Sequence, residues 1–497
     1  MWLFFFFLLL TLPFVLVRTI RWLAIIQQKE YRLDRLWAFF HSAEGRAELF
    51  RFWSKPKDFT RLGMKRPRPT HRVLLVALLS SLVLLLEMGG VLVLSMLQLP
   101  SPGYFWAVVL WVVLYLLLPL TVIIGSLPTM ILSALITYRT LSQARSKLLQ
   151  TKPRVIGIGG SYGKTSTKHL LHHFLSQKYT VFVTPKSFNT KLSVAQSIVA
   201  GYKKQQIALL EYGAYITGEI AYLTTWFPPE IAVETGFTPQ HLSLFGTREN
   251  SILAESELIA ALPENGVVFC NGQDSGAVEI CKTGAQDNHA QIKMYSGSQS
   301  LIALENSRLN DKGELQVTWK KKKIQTKLIG LQYLVNLQAA FLVSQEFGLS
   351  DSEIIEAAET FQPNSSFIEA MTLKTGAYFI NDGGTSNPMG FNAALDLLAA
   401  LPYPKKVLLT AGMIDLGEES RQIHFRLATK AKELQLTVAH VGIDGHDEFA
   451  EVFAEELVTD LDAVQTLIKH TDEQTVILLE GKVPKVLEDQ ITALVQR

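Results

Sequence analysis

The sequence predicts an α/β protein of two domains, preceded by a membrane region of about three transmembrane helices. The apolar residues, which make up 48% of the 497-residue chain, are concentrated before residue 140. From residue 153 onward, short apolar runs alternate with helical patterns, which is typical of a mostly parallel sheet covered by helices on both faces. Residues 290–328 predict hairpins. A second alternating unit begins near residue 363, with candidate strands at 377–381, 406–410, 437–442 and 475–480, and predicts a second α/β domain with its own core.

Charge and cysteine content say more about the cellular location of this chain than about its chemistry. The formal net charge of +2 neither indicates nor excludes a nucleic-acid partner, and we predict none. Cys270 and Cys281 match no metal-ligand spacing, and we interpret both as reduced thiols. Reduced thiols are consistent with a cytoplasmic location for the part of the chain that contains them.

The first 17 residues are almost wholly apolar. A secretory signal would have positive charge before its apolar core, whereas Arg18 and Arg21 come after it, and no cleavage site of small residues is evident. We therefore predict an uncleaved anchor at 1–17, near the lower length limit for a membrane span. Two longer apolar stretches, 73–99 and 104–125, predict the second and third spans.

The segment 18–72 contains 14 Lys and Arg residues against 5 Asp and Glu, interleaved with aromatic residues. Such a segment could bind nucleic acid, but between two apolar spans it is more typical of an anionic membrane surface. The positive-inside rule then places 18–72 and everything after residue 139 in the cytoplasm. We predict a multi-pass protein of the inner (cytoplasmic) membrane, with its catalytic domains in the cytoplasm.

Two details of the membrane region add to this prediction. Residues 126–149 start apolar and end basic, which predicts an amphipathic helix that leads the chain off the membrane. Glu87 lies inside the second span, and an intramembrane carboxylate is a functional candidate by default. A protonated or helix-paired glutamate is an equally good interpretation.

The stretch 155–167, VIGIGGSYGKTST, has the pattern of a strand, a glycine loop and a helix start. Small residues let backbone N–H groups approach phosphate oxygens, and the helix N-terminus adds positive potential. Lys164 is placed to reach terminal phosphates and Thr165 to ligate Mg²⁺. Glycine-rich loops after strands also occur without nucleotides, and the spacing departs from the general P-loop. We nevertheless predict a nucleotide site formed by Gly160, Ser161, Gly163, Lys164, Thr165 and Ser166.

Two further side chains follow predicted strands. Glu211 ends the strand IALLE, at the edge where an open α/β sheet places ligand-facing groups. His241 follows the strand near 231–235 by a short loop. On the residues alone, Glu211 could equally be a surface carboxylate and His241 an ordinary loop histidine.

A series of segments resembles the Mur ligase family. They read GIGGSYGKTST, SFNTKLSVAQS, LLEYGAYITGEIAYL, TPQHLSLFG, PENGVVFCNGQD, GLQYLVNLQAA, FINDGGTSNPMGFNAALDLLAAL and MIDLGEESRQIH. The resemblance covers about 150–485 and is greatest to the type that adds D-alanyl-D-alanine to the peptidoglycan precursor. It implies a central P-loop ATPase domain at 151–362 and a Rossmann-like C-terminal domain at 363–497, after the membrane region 1–150. These enzymes use ATP to phosphorylate a carboxylate, and an amine then attacks the acyl phosphate.

The resemblance also implies roles for single residues. Glu211 and His241 would ligate Mg²⁺ with Thr165, and Glu255 aligns with a lysine that is carbamylated in the family and helps to hold a second Mg²⁺. The implied catalytic set is Lys164, Glu211, His241 and Glu255. Asn336 and Asp382 would contact the nucleotide, with Asn336 facing the adenine. Asn189, Thr190 and Asn387 would face the substrate. Ordinary turn or helix-packing roles remain open for the asparagines and for Asp382.

Several positions depart from the family pattern. Phe367 stands where the family has an arginine, and Gln332-Tyr333 replaces a His-Asn pair. Ser193 replaces a glycine, and Glu255 is a carboxylate with a shorter stem than the modified lysine. The three predicted spans occupy the place of the soluble domain that grips the UDP-sugar in this type of ligase. Poly-γ-glutamate synthases are similar in lacking that domain and in being anchored to a membrane.

These observations predict a membrane-anchored ligase that uses ATP and Mg²⁺ to make an amide bond in cell-envelope synthesis. Its partners would be an envelope precursor with a carboxylate, an amino acid or dipeptide amine, and the cytoplasmic membrane. Two alternatives stay open. One is a poly-γ-glutamate-type synthase, and the other is a catalytically degenerate membrane scaffold that binds nucleotide without forming amide bonds.

Overall fold

The computed structural model describes residues 2–41, 43–52, 66–96, 103–238, 245, 247–384, 387–414, 416 and 419–495. The chain forms two compact units, Met1–Thr140 and Leu141–Arg497. The helices of the first part of the chain are α1 (Trp2–Gln28), α2 (Leu33–His41), α3 (Ala43–Leu49), α4 (His71–Met96) and α5 (Gly103–Thr151).

Three described helices are long and apolar enough to cross a membrane, by length and composition. The candidate spans are Leu9–Gln28, His71–Val93 and Val108–Thr151. The prediction of three long apolar helices, which are candidate spans, is therefore confirmed, but two of the predicted bounds are corrected. The first helix does not end at residue 17, and the third continues from 104–125 through the predicted amphipathic segment without a break.

The first helix continues through its arginines because their charges find partners within the first unit. The Arg18 guanidinium lies 4.8 Å from the centre of the Tyr115 ring. Arg21 forms an ion pair with Glu48 at 2.6 Å. The predicted loop 18–72 thus begins as helix, and α2 and α3 follow within it. Charged residues that suggest the end of an apolar helix can lie within it when their long side chains reach such partners.

Helices α4 and α5 meet through small and polar groups. The Glu87 carboxylate accepts hydrogen bonds from Thr121 Oγ1 at 2.9 and 3.1 Å, so this intramembrane candidate is paired across two helices. A β-carbon on Gly125 would lie 2.4 Å from Ser80 Oγ and 2.7 Å from Ser80 Cα. The close approach of the two helices therefore requires glycine at this position.

We expect Gly125→Leu to lower the thermal unfolding midpoint of the full chain in detergent. The added side chain has no room against Ser80, and overpacking of this kind costs about 1–3 kcal/mol. Gly89→Leu is the matched control, because no described atom lies within 4 Å of a β-carbon at Gly89. Equal midpoints for both variants would contradict the close α4–α5 contact.

The described residues of the next segment build a six-stranded parallel sheet in the order β2-β3-β1-β4-β5-β6. Its elements are β1 (Arg154–Gly159), α6 (Lys164–Leu175), β2 (Val181–Val183), α7 (Lys191–Gly201), β3 (Ile207–Glu211), α8 (Glu219–Trp226), β4 (Ile231–Glu234), α9 (Arg248–Ala260), β5 (Val267–Cys270), α10 (Ser275–Gly284) and β6 (Gln291–Met294). The buried strand residues and the helices on both faces form two apolar clusters, as the alternating pattern predicts.

An antiparallel three-stranded sheet in the order β7-β8-β9 and two helices complete this part. These elements are β7 (Glu305–Leu309), β8 (Glu314–Trp319), β9 (Lys322–Ile329), α11 (Tyr333–Glu346) and α12 (Asp351–Thr360). Hairpins predicted over 290–328 are correct only from residue 305 onward. Residues 291–294 instead pair in parallel with β5, because a helical crossover through α10 separates the two strands and a tight turn does not.

The last part contains a five-stranded sheet in the order β10-β11-β14-β12-β13. Its elements are β10 (Glu369–Thr372), β11 (Tyr378–Asp382), α13 (Pro388–Ala400), β12 (Lys405–Thr410), α14 (Ser420–Glu433), β13 (Thr437–His440), α15 (His446–Phe453), α16 (Leu461–Lys469), β14 (Thr475–Glu480) and α17 (Lys485–Leu494). All four predicted strands of this unit are present and parallel, and the unpredicted β10 adds an antiparallel edge.

Candidate functional site

A cleft of about 1650 Å³ lies among the loops at the carboxyl ends of the strands in both large sheets. The glycine loop after β1, the end of β3, and the ends of β11 and β14 all contribute to its lining. Ligands bind outside the carboxyl ends of strands in open α/β sheets. The structure therefore brings most of the predicted site residues to one place.

The glycine loop after β1 is held in a conformation that side chains rarely adopt. Gly160 has φ +115° and Gly163 has φ +77°, and Gly163 directly precedes α6. A β-carbon on Gly160 would lie 2.4 Å from Thr235 Oγ1, so the loop packs tightly against the end of β4. Lys164 begins the helix, and its Nζ donates to the Gly160 carbonyl. The loop has the shape and the charge of a phosphate cradle.

The mouth of the cradle contains two of the predicted ligand residues. Thr165 Oγ1 donates to Ser187 Oγ at 3.0 Å and lines the cleft. Asn336 Nδ2 donates to Thr167 Oγ1 at 2.8 Å and to the Gly163 carbonyl at 3.3 Å. Asn336 thus holds the start of α6 against α11, a contact that positions the cradle. Its contact with an adenine stays a prediction.

Glu211 occupies the end of β3, as predicted, but it has a partner that the sequence did not indicate. Lys168 Nζ lies 2.6 Å from Glu211 Oε1, and both side chains are fully buried. Lys168 also donates to Thr184 Oγ1 at 3.5 Å and to the Lys186 carbonyl. Burial lowers the pKa of Lys168, and the Glu211 carboxylate opposes that effect. Glu211 is therefore held rigidly at the cleft by an ion pair across α6 and β3.

Glu255 and an unforeseen carboxylate, Glu234, lie at the base of the glycine loop. Glu255 Oε2 accepts a hydrogen bond from the Gly160 backbone N–H at 3.3 Å. Glu234 ends β4 and pairs in register with Gly159, with its side chain completely buried. Burial raises the pKa of both carboxyl groups, and the nearby Lys164 ammonium opposes the rise. Glu234 was not predicted as a site residue, because the sequence IAVE is typical of a strand that ends in a surface carboxylate.

The predicted substrate residues split into two kinds. Asn189 lines the cleft, and its Nδ2 lies 2.8 Å from where a β-carbon on Gly213 would be. Thr190 precedes α7 and is engaged there, since its backbone N–H donates to Ser193 Oγ at 3.1 Å. Ser193 thus forms a capping box with Thr190 at the start of α7. Thr190 therefore has a structural role at the start of α7, whereas Asn189 lines the cleft.

The second sheet supplies acidic groups at the ends of β11 and β14. Asp382 and Glu480 are paired in register, and both line the cleft. Burial raises the pKa of Asp382, and a hydrogen bond with Glu480 opposes the rise. Asn387 caps α13 by accepting from the Gly390 N–H at 2.9 Å, although it also lines the cleft. Asp382 is accordingly the better placed of the two predicted residues to meet a ligand.

Phe367 has an apolar role at the position where the family has an arginine. Its ring packs 5.2 Å from Tyr333 and from Phe361 and 6.4 Å from His169, measured between ring centres. The Tyr333 hydroxyl accepts from the Ile368 backbone N–H at 2.9 Å. Two departures from the family pattern, Phe367 and Tyr333, therefore pack against each other and form one aromatic wall of the cleft.

Tyr162 is a third residue of this site that was not predicted from the sequence. Its hydroxyl donates to Asp274 Oδ2 at 2.6 Å, and the same oxygen accepts from the Phe237 N–H at 3.0 Å. A β-carbon on Gly236 would lie 2.2 Å from the Tyr162 ring. The tyrosine thus ties the glycine loop to the segment after β4, and only a glycine fits beneath it. His241, further along that segment, lies outside the described residues.

The side-chain oxygens that line the cradle fit a nucleotide bound with Mg²⁺. Thr165 contributes a hydroxyl, and Glu211 and Glu255 contribute carboxylates, which are the hard oxygen ligands that Mg²⁺ prefers. Within the described ranges, no three His, Cys, Asp or Glu side chains converge as a metal site. Mg²⁺ in phosphoryl-transfer sites is commonly held by one or two carboxylates together with the phosphates themselves.

Comparison with known proteins identifies the middle of the chain. Residues 158–344 match the Mur ligase middle domain. A UDP-N-acetylmuramoyl-tripeptide–D-alanyl-D-alanine ligase of Bacillus subtilis (strain 168) is 28% identical over 287 residues, which are 56% of this chain and 61% of that protein. The chain thus spans about three fifths of the length of this curated relative. The resemblance to Mur ligases predicted from the motifs is confirmed.

Solved structures confirm the predicted fold. MurF from Acinetobacter baumannii superimposes with a TM-score of 0.63 at 24% identity, covering 72% of this chain and 80% of that one. MurF ligase from Thermotoga maritima, solved in complex with ADP, gives a TM-score of 0.60 at 23% identity, covering 72% and 83%. This chain therefore has the Mur ligase fold, with three long apolar helices as candidate spans in its N-terminal region.

Proposed function

We propose that this chain, whose residues 158–344 match a Mur ligase middle domain, is a membrane-anchored ligase that uses ATP to join a carboxylate to an amine. The substrate would be a peptidoglycan or related cell-envelope precursor. The observation that supports this function most directly is the cleft, in which a phosphate cradle on one sheet faces Asp382 and Glu480 on the other. A reaction between a nucleotide and two further substrates needs such a two-sided site.

The cradle residues have clear tasks in this reaction. Lys164 would turn from the Gly160 carbonyl to the β- and γ-phosphates, and backbone N–H groups of the loop would orient them. Thr165, Glu211, Glu255 and His241 would hold Mg²⁺, which neutralises charge on the transferred phosphoryl group. The substrate carboxylate oxygen bonds to the γ-phosphorus and ADP leaves. The amine nitrogen then bonds to the acyl carbon, phosphate leaves, and the amine loses a proton.

The three candidate spans would keep this site near a membrane-bound substrate. By the family resemblance, these spans would stand in place of a soluble substrate-binding domain, and a lipid-linked carboxylate would be confined to the same surface. Confinement raises the effective concentration of a tethered partner without any new contact. We therefore place the protein in the cytoplasmic membrane with its ligase domains in the cytoplasm, and we expect a lipid-linked precursor to be a better substrate than its soluble counterpart.

Oxygen transfer tests the acyl phosphate step. The full chain in detergent is supplied with ATP, Mg²⁺, an amine and a precursor whose carboxylate is labelled with ¹⁸O. The mechanism predicts one ¹⁸O atom in each inorganic phosphate released with the amide product, because that oxygen bridges carbon and phosphorus in the intermediate. Soluble and lipid-linked muramoyl peptides form parallel arms. Amide product with unlabelled phosphate would refute the intermediate, and no product in any arm would refute the ligase.

Glu255→Gln provides a sharper test of the acidic site. The amide keeps the size of the side chain but removes the charge at the base of the cradle, so we expect turnover to fall by about 10-fold or more and the Mg²⁺ concentration for half-maximal rate to rise. Glu257→Gln is the control on the same helix, because its carboxylate instead accepts from the backbone of α8. Unchanged kinetics in Glu255→Gln would remove this residue from the site.

A scaffold that binds nucleotide without forming amide bonds is the second candidate. Phe367 favours it, because the buried aromatic wall has no cation to meet a γ-phosphate at that position. A scaffold would bind ATP and ADP with similar affinity and would release no phosphate with any carboxylate and amine. A ligase would show ATP turnover that depends on both. The poly-γ-glutamate-type alternative is distinguished by a product that grows with repeated addition of glutamate.

A further inference from the structure

We propose that one edge of the central sheet binds the headgroups of an anionic membrane. The six strands are parallel, so their amino ends share the edge opposite the cleft. The lysines that define this basic edge lie at the starts of β1, β2 and β3 and in the turn between β8 and β9, and they are Lys152, Lys178, Lys204 and Lys321. This inference rests on the membrane anchoring proposed above and is independent of the ligase chemistry.

The charges along the amino ends of the strands are divided between the two halves of the sheet. The segments before β4, β5 and β6 carry the exposed acids Glu230, Glu264 and Asp287. The four lysines of the basic edge are also exposed, and none of them forms an ion pair with another residue that the structure describes. Unpaired cations on one half of the sheet give that half a positive field that attracts anions.

Contacts around the start of α12 join the β8–β9 turn to the sheet. Lys320, the neighbour of Lys321 in that turn, forms an ion pair with Asp351 at 2.7 Å. Lys178 Nζ donates to the Gly348 carbonyl at 2.6 Å, just before the same helix. The turn therefore lies beside the start of β2, and Lys321 extends the positive surface of the sheet edge.

Three turns on the basic edge hold lysine in a left-handed backbone conformation. Lys152 directly follows α5 with φ +48°, Lys204 precedes β3 with φ +67°, and Lys321 lies in the two-residue turn with φ +65°. Such positions usually have glycine or asparagine, which adopt this conformation at low cost. In the acidic half, the loop before β5 has Asn265, with φ +57°. Lysine therefore strains the backbone at three turns, and the property that it adds there is its charge.

The end of α5 lies next to the basic edge. This helix contains the third candidate span, ends at Thr151, and is followed directly by Lys152 and β1. Thr151 Oγ1 and the Tyr202 hydroxyl oxygen are 2.5 Å apart, which places the end of the helix beside the loop of Lys204. An anionic bilayer anchored through the same chain is present at high effective concentration, so a few unpaired lysines suffice to bind it.

A lipid surface fits the basic edge better than a nucleic acid does. Proteins that bind single-stranded nucleic acids stack aromatic side chains on the bases. Tyr202 and Trp319 are the aromatic residues that precede Lys204 and Lys321, and both are buried. Neither ring is available to a base, whereas lipid headgroups require only positive charge.

Lipid nanodiscs that contain the full chain test this proposal. A fluorophore is attached to Ser352→Cys, an exposed position beside Asp351, because the native thiols of Cys270 and Cys281 are buried. The discs contain a lipid with a nitroxide quencher on its headgroup, in phosphatidylcholine alone or in equal parts of phosphatidylcholine and phosphatidylglycerol. We expect the docked population, measured by quenching, to be about 10-fold larger in the anionic discs. High salt should remove the excess.

Three sets of variants separate a lost charge from a damaged fold. The triple variant Lys152→Asn, Lys204→Asn and Lys321→Asn should lose the excess quenching but unfold at the wild-type temperature or higher, because asparagine tolerates the left-handed conformation. Arginine at the same three positions keeps the charge and should keep the excess. The control triple variant should quench as the wild type does, because it replaces by asparagine three exposed lysines outside the basic edge, Lys312, Lys469 and Lys485.

Equal quenching of the wild type in both kinds of disc would overturn the proposal, and so would excess quenching that survives in the asparagine variant. Duplex DNA that binds the wild type in neutral discs at physiological salt, without any excess quenching by anionic lipid, would assign the basic edge to nucleic acid instead. A chain that is not retained in the discs would overturn the anchoring on which the proposal rests. Excess quenching in a chain that makes no amide would overturn the ligase function and leave this surface standing.

Discussion

Lys164→Ala should reduce ATP turnover by about 10²–10³-fold, the loss that follows removal of one preorganised group that stabilises developing charge in a transition state. The lysine begins α6 directly after the glycine loop, so its ammonium lies at the cradle where the phosphates would bind. The fold should be little affected, because Lys164 is partly exposed and its Nζ donates to the Gly160 carbonyl within its own loop.

The measurement is the steady-state release of inorganic phosphate by the full chain in detergent, with carboxylate and amine present. Lys203→Met is the control, since Lys203 is an exposed lysine in the loop between α7 and β3, outside the cleft. ADP affinity, measured by calorimetry, should fall in Lys164→Ala by less than turnover does, because much of the lysine's effect is realised in the transition state. Turnover at the wild-type level in Lys164→Ala would rule out the proposed role of the cradle.

Lys168→Met should cause the largest loss of stability of any single change considered for this chain. The ion pair between Lys168 and Glu211 is fully buried on both sides at 2.6 Å. Removal of one partner leaves a buried uncompensated charge, which typically costs about 3–5 kcal/mol. The double variant Lys168→Met with Glu211→Gln removes both charges, so it should recover part of that loss.

Thermal unfolding of the full chain in detergent, followed by circular dichroism, measures this effect as a shift in the first unfolding midpoint. Lys320→Met is the matched control, because Lys320 and Asp351 form an ion pair of similar length, 2.7 Å, with both side chains about half exposed. An exposed pair contributes at most about 1 kcal/mol. Equal shifts in Lys168→Met and Lys320→Met would show that the buried pair does not stabilise the central sheet.

Local sequence patterns suffice to predict some elements of this fold and not others. The strand, glycine loop and helix of 155–167 were predicted because each residue's backbone preference acts on its immediate neighbours. The four parallel strands after residue 377 were predicted for the same reason. The strand at 291–294 was missed because its partner, β5, is joined to it by a helix, and local sequence does not distinguish a crossover strand from a hairpin strand.

The candidate site shows the same division. The sequence by itself predicted a glycine loop between the first strand and its helix and a strand that ends at Glu211, since backbone preferences and glycine spacing are local properties. Only the tertiary structure decided what meets these groups. Lys168 reaches Glu211 across 43 positions of chain, and Glu234 and Glu255 converge from a strand and a helix. Burial and charge pairing depend on which elements pack together, and no single stretch of sequence encodes that packing.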